Sequence, residues 1–168
     1  MEIKNKILTK ENTEQIINQL KQQNKKIGFC SGCFDVLHSG HAVFFQQCKK
    51  FADILILALG TDKIVKQLKG KNRPINPENN RLFLLSAMQD VDYVILSDEP
   101  LLPGKIHYKK LLEKIKPDFF ILNDDDSAIK EKQQLCNELD INLELVPRTV
   151  PDFLTPTSSS EISKKIIS

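Results

Sequence analysis

The chain has 168 residues, with 24 Lys and Arg against 22 Asp and Glu, a net charge of +2, four cysteines and no tryptophan. That length suits a single domain with a full hydrophobic core. The near balance of charge argues against a nucleic-acid stripe or a membrane-attracting surface, and no apolar run approaches the roughly 20 residues of a membrane span. The opening MEIKNKILTKEN lacks the apolar core and cleavage site of a secretion signal. Four cysteines in a chain this long do not make a disulfide framework, so a cytoplasmic setting is expected.

Helix-like and strand-like segments alternate. Glu11 to Gln23 places Ile16, Ile17 and Leu20 at helical spacing, a leading amphipathic helix in a segment 1–25 that precedes the main fold over 27–168. Ile27 to Ser31 is a short buried strand, and His41 to Phe51 reads as helix. Asp53 to Leu59 is a continuous apolar run, which suits a strand covered on both faces. Pro77 to Asp90 is predicted helical, Asp92 to Leu96 a strand, Ile106 to Ile115 a helix and Asp118 to Leu122 a strand. Ala128 to Leu139 follows as helix, Asn142 to Val146 as strand and Ser160 to Ile167 as a closing helix. The expected fold is α/β: one Rossmann-like, doubly wound domain with a five-stranded parallel sheet. In such sheets ligands bind beyond the carboxyl ends of the strands.

The decapeptide GCFDVLHSGH, Gly32 to His41, sits directly after the first strand of that pattern. A strand that runs through a glycine-containing turn into a helix N-terminus is suited to phosphate, because backbone N–H groups and the helix dipole converge there. His38 and His41 add side-chain donors that can be neutral or charged near pH 7.

These residues resemble the signature of the cytidylyltransferase-like nucleotidyltransferases, a His-x-Gly-His turn after the first strand. Leu68 to Leu96 is similar to the adenylyltransferase domain of bacterial ADP-heptose synthases, with Lys-Gly, Arg-Pro, an Arg at a helix start and a Val-Asp before a strand. Val146 to Thr149 and Ser158 to Ile162 resemble instead the ending of glycerol-3-phosphate cytidylyltransferases. The resemblance implies an enzyme in which a phosphate of an acceptor attacks the α-phosphorus of a nucleoside triphosphate and pyrophosphate leaves. Positioning and charge stabilisation are the main catalytic terms of such a transfer. His38, His41 and Lys69 are then the catalytic candidates, with Lys71 a possible helper. Gly32, Cys33, Phe34, Gly40, Arg148, Thr149, Ser158, Ser159 and Ser160 would bind nucleotide. Arg81, Asp35 and Asp125 would face the triphosphate or the acceptor phosphate, with Asp35 alternatively orienting the turn or approaching the metal. Mg²⁺ is expected on the substrate phosphates. ATP with heptose 1-phosphate is the first pairing. CTP with glycerol 3-phosphate or another small alcohol phosphate is the alternative, and a nucleotide-binding module without turnover is the non-enzyme one. A homodimer is consistent with the resemblance.

Several features have plain structural readings beside the functional ones. Ser158 to Ser160 form a good helix start, with Glu161 in its first turn. Asp124, Asp125 and Asp126 could hold Mg²⁺ through water, contact a sugar hydroxyl, or form an acidic loop. They stand where the heptose family has Lys-Gly-Gly-Asp-Tyr, which leaves the acceptor open. The stretch after Thr149 carries Pro151 and Pro156 and is longer than in the cytidylyltransferase ending. Cys30 and Cys33 make a Cys-x-x-Cys, but at a strand end, with Cys48 and Cys136 isolated, so neither a redox nor a zinc site is favoured. His107 reads as surface or packing.

Overall fold

The computed structural model describes residues 2–167. Six strands are assigned among them: β1 (Ile7–Leu8), β2 (Ile27–Gly32), β3 (Ile54–Gly60), β4 (Tyr93–Ser97), β5 (Phe119–Asn123) and β6 (Asn142–Val146). The helices are α1 (Thr13–Gln22), α2 (Ser39–Cys48), α3 (Asp62–Lys69), α4 (Glu78–Ser86), α5 (Lys109–Ile115), α6 (Ile129–Leu139) and α7 (Ser159–Ile167). The strands form one parallel sheet in the order β1-β4-β3-β2-β5-β6. From β2 the chain winds outward through β3 and β4, then returns to the other side of β2 for β5 and β6. The direction reverses between β2 and β5, so a crevice opens there at the carboxyl ends.

Alternation along the central strands builds two cores. Phe29, Ile56, Ala58, Ile95 and Phe120 face α1, α5 and α6, which contribute Ile17, Leu20, Leu112, Ile115 and Leu135. Cys30, Leu55, Leu57, Leu59 and Ile121 face the opposite way, against Phe45 and Cys48 of α2 and Leu82 and Leu85 of α4. Every residue from Leu55 to Gly60 is buried, as a strand covered on both faces requires. Carboxylates tie the strand starts together. Asp118 accepts from Ile27 N at 2.8 Å and from Lys26 Nζ, and Asp92 accepts from Leu55 N at 2.7 Å and from Lys49 Nζ at 2.8 Å.

The sheet has six strands where five were expected. The added one, β1, pairs Ile7 with Val94 and Leu8 with Ile95 at the outer edge, and Lys6 Nζ anchors it on the carbonyls of Met88 and Val91. Two residues are too short to carry an alternating pattern. The sequence pattern assigns no helix between Leu59 and Pro77, but the structure has α3 there, with Lys69 as its last residue. Helix α5 begins three residues later than expected, because Ile106, His107 and Tyr108 turn inward and are buried. Among the described residues no helix is long and apolar enough to cross a membrane.

One glycine has a packing reason. A Cβ at Gly28 would lie 2.9 Å from Ala52 Cβ and 3.2 Å from Ile121 Cδ1. Ala52 has no rotamer to relieve that contact, so the backbone must move. Gly28→Ala is expected to destabilise the protein by about 1–3 kcal/mol, the usual range for overpacking. Urea unfolding checks this, and an unchanged midpoint would refute it.

Candidate active site

At the carboxyl ends of β2 and β5 lies a cavity of about 340 Å³. Its walls come from the Gly32–His41 turn, the end of α3, Arg73, the β4–α5 and β5–α6 connections, Arg148 and the start of α7. His38 caps α2 in an extended conformation and His41 sits in the first turn. The two imidazoles are held reciprocally. His38 Nδ1 accepts from Gly40 N at 3.2 Å, and His41 Nδ1 accepts from His38 N at 3.3 Å. Their ring centroids are 4.0 Å apart.

These backbone bonds settle the tautomers. A neutral imidazole with an accepting Nδ1 carries its proton on Nε2, so both rings hold an Nε2–H on the side away from the α2 backbone. Burial, with His38 and Arg148 close by, pushes the His41 pKa down to about 3. Burial and then the Arg148 charge lower that of His38. Of the two states open to these histidines near pH 7, the lowered pKa values favour the neutral one, which leaves both rings as Nε2–H donors.

The small and aromatic residues of the turn hold this geometry. A Cβ at Gly40 would stand 3.0 Å from the His38 ring and displace it. Phe34 has φ 44°, in the left-handed region, a conformation that costs a bulky residue of order 1–3 kcal/mol. Its ring folds beneath the turn, edge-on to His41 at 5.5 Å and against Phe45 at 5.6 Å. Gly32 leaves room for that fold, since a Cβ there would meet the Phe34 ring at 2.9 Å. Cys33 lines the cavity, while Cys30 lies in the core against α2. All four cysteines are free, and burial raises the thiol pKa of Cys30 and Cys33, the reverse of an activated redox pair.

Two predicted phosphate ligands have other duties. Arg81 is fully buried, and it is not at the helix start but in its fourth position. Its Nη1 donates to Cys33 O at 2.6 Å and Gly60 O at 2.9 Å, its Nε to Asn76 O at 2.8 Å, and its Nη2 to Asp62 Oδ1 at 2.8 Å. The guanidinium therefore clamps the ends of β2 and β3 to the loop before α4, and does not line the cavity. Asp35, also buried, accepts from Ile75 N at 2.8 Å, Asn76 N at 2.8 Å and Arg73 Nε. Those bonds hold its carboxyl below the usual range against the opposing effect of burial. It lines the cavity, as the sequence reading expected, and in addition positions the loop that carries Arg73, a further cavity residue that the sequence does not single out.

Asp125, the third residue assigned to the phosphates, makes a two-point ion pair with Arg148 at 2.8 and 3.1 Å and does not line the cavity. The three carboxylates diverge: Asp124 is exposed, Asp125 faces Arg148 and Asp126 pairs with Lys132 at 2.7 Å. Thr149 accepts from Gln47 Nε2 and lines a smaller adjoining pocket with Arg148. The serine triplet divides its labour. Ser158 and Glu161 form a reciprocal cap on α7, with bonds of 2.8 to 3.2 Å. Ser159 Oγ donates to Val36 O at 3.0 Å, docking the helix on the histidine turn, and Ser159 and Ser160 both line the cavity. Lys69 reaches the cavity from an exposed position, and Lys71 does not line it. Sequence reasoning missed Lys105, His107 and Lys132, which complete the wall. A lysine on a polar-looking helix and a lone histidine carry no local signal of such a role.

The comparisons agree with this architecture. The cytidylyltransferase-like family profile matches residues 29–165, and the chain belongs to that family of nucleotidyltransferases. It is 37% identical over 157 residues to a protein of Campylobacter jejuni named bifunctional protein HldE, covering 92% of this chain and 31% of that one. The Wolinella succinogenes protein of the same name is 34% identical over 165 residues, with 98% and 32% covered. The chain thus spans about a third of the length of these relatives. Among solved structures, the lipopolysaccharide core biosynthesis protein of Thermoplasma volcanium superposes with a TM-score of 0.62 at 30% identity, over 76% of this chain and 99% of that one. Pantoate-beta-alanine ligase of Francisella tularensis shares the fold, with a TM-score of 0.60 at 22% identity over 95% and 77%.

Removing the Arg81 clamp should unfold rather than merely weaken binding. Arg81→Met leaves three carbonyls without their donor, at about 1–3 kcal/mol each, so a loss of at least about 3 kcal/mol is expected in denaturant titrations. A variant of wild-type stability that binds nucleotide less well would restore the phosphate role.

The neutral histidines also set an acid dependence of stability. His41 titrates near 3 in the fold against 6.5 when unperturbed, so the unfolded chain binds the extra proton between those values. Its contribution is fully present above about pH 6.5 and is lost as pH falls through the folded value. Unfolding free energies measured from about pH 7.5 to about pH 4.5 should decline, and His41→Gln should flatten that decline.

Proposed function

We propose that this chain transfers a nucleoside monophosphate, AMP in the first instance, from a triphosphate to a phosphorylated sugar of the heptose 1-phosphate class. A phosphate oxygen of the acceptor attacks the α-phosphorus in line, the bond to the bridging oxygen breaks, and pyrophosphate departs. The observation that carries this reading is the pair of fixed Nε2–H donors at the N-terminus of α2. Backbone-held neutral donors are already oriented when charge builds on the bridging oxygen, and they need no reorganisation. Lys69 and Arg73 offer charge on one wall of the cavity, and Arg148 and the start of α7 on another. Together these offset the repulsion between two anionic reactants and hold them in line.

Mg²⁺ is expected to accompany the triphosphate and to neutralise part of its charge. Among the described residues no group of three or more His, Cys, Asp or Glu is placed to hold an ion. Asp35 is committed to its loop and the charge of Asp126 is offset by Lys132, so the triphosphate oxygens and water would be the ligands, as Mg²⁺ commonly prefers. Likeness to the two HldE proteins over more than nine-tenths of the chain supports the sugar-phosphate acceptor. The second reading, CTP with glycerol 3-phosphate, is favoured by the Arg148-Thr149 and Ser158–Ser160 ending.

Pyrophosphate release is the direct assay, with ATP or CTP, Mg²⁺ and either heptose 1-phosphate or glycerol 3-phosphate. Release is expected with ATP and heptose 1-phosphate, while release confined to CTP would overturn that assignment. His38→Ala and His41→Ala should each lower kcat by about 10²–10³, the usual effect of deleting one oriented donor. Unchanged turnover in both would reject the mechanism.

A further inference from the structure

The end of the cavity formed by the β4–α5 and β5–α6 connections differs in chemistry from the end that holds His38 and His41. Lys105 Nζ donates to Ser127 Oγ at 2.7 Å, which ties the two connections together, and Lys132 Nζ of α6 donates to Asp126 Oδ2 at 2.7 Å. His107 lies between them and the sheet and is only 3% exposed. Its surroundings determine its proton. The Ser97 hydroxyl donates to His107 O, and a serine has one hydrogen to give. The contact of 3.0 Å between His107 Nδ1 and Ser97 Oγ is then a bond donated by Nδ1–H. Burial, with Lys132 close by, pushes the His107 pKa down to about 4, so the ring is neutral. Nε2 therefore bears a lone pair. Among the described residues it forms no hydrogen bond, and the ring lines the cavity.

From this geometry we propose that His107 is a specificity-determining residue, whose Nε2 accepts a hydrogen bond from a hydroxyl of the sugar acceptor beside Asp126. The proposal rests on the nucleotidyltransferase reading of the cavity. A lone pair repels phosphate oxygens and selects O–H or N–H donors. The Asp126 carboxylate accepts from Ala128 N at 2.9 Å and from Lys132, and each of its oxygens has a further lone pair. Lys105 and Lys132 supply donors within the same wall. Alternating acceptors and donors match a polyhydroxylated carbon chain, in which every hydroxyl both gives and receives. The subsite thus reads the sugar, and the reacting phosphate is left to the histidine end.

Two measurements decide the proposal. Imidazole ¹⁵N spectra of the wild-type protein should show His107 protonated at Nδ1 and bare at Nε2, with Nε2 shifting when heptose 1-phosphate is added. A protonated Nε2, or no shift on saturation, overturns it, and this result holds whether or not the protein turns over. In the pyrophosphate assay, His107→Asn keeps a donor toward Ser97 but removes the Nε2 acceptor. It should raise KM for heptose 1-phosphate about ten- to a hundred-fold, the effect of one unmade buried hydrogen bond, with KM for ATP within about two-fold. His107→Gln, which returns an oxygen near the Nε2 position, should recover part of that loss. A rise in KM for ATP instead would make His107 a base reader and overturn the proposal. Absence of turnover by the wild-type protein with every acceptor would reject the transferase reading itself and leave the subsite to the spectra. If His107→Asn melts below assay temperature, the spectra of the wild-type protein still decide.

Discussion

The cavity depends on one buried guanidinium. Arg81 satisfies the carbonyls of Cys33 and Gly60, which end β2 and β3, and that of Asn76 in the loop before α4. A buried cation is tolerated only when its donors are occupied and its charge is offset, and Asp62 supplies the offset. Asp35 does the complementary work, taking the backbone N–H groups of Ile75 and Asn76. One cation that collects carbonyls and one anion that collects N–H groups thus hold the same loop from two sides. The loop delivers Arg73 to the cavity, and the turn it braces delivers both histidines.

The second organising feature is the fixing of histidine tautomers by neighbouring groups. At one end of the cavity, backbone N–H groups occupy the Nδ1 atoms of His38 and His41, so Nε2–H remains to donate. At the other, Ser97 occupies Nδ1–H of His107, so Nε2 remains to accept. The same side chain type is given opposite polarity within one cavity, and burial keeps all three rings from charging near neutral pH. The positive field there comes from lysine and arginine.

Much of this was readable along the chain. The buried run of β3, the strand start of β2 and the periodic helices α1 and α6 follow from hydrophobic spacing, and the GCFDVLHSGH turn signals itself. Lys69, Arg148, Ser159 and Ser160 do line the cavity with His38 and His41. What escaped notice had physical reasons. Two residues of β1 hold no pattern, and Arg81 at an apparent helix start looks like a ligand because local sequence says nothing of burial. His107 looked incidental because its value comes from Ser97 and Lys132, ten and twenty-five residues away. The Asp124–Asp126 run looked like one cluster, but adjacent side chains in a turn point apart, and each met a different neighbour.

The sequence by itself determined the alternation of strands and helices, the phosphate-suited turn and the family, because periodicity and short motifs are local properties carried by neighbouring residues. The tertiary structure alone decided which charged groups are tools and which are scaffolding. That distinction depends on burial and on partners brought together from distant segments. Arg81 and Asp35 were drawn inward to hold the loops, and His107 and Lys132 were brought to the wall of the cavity.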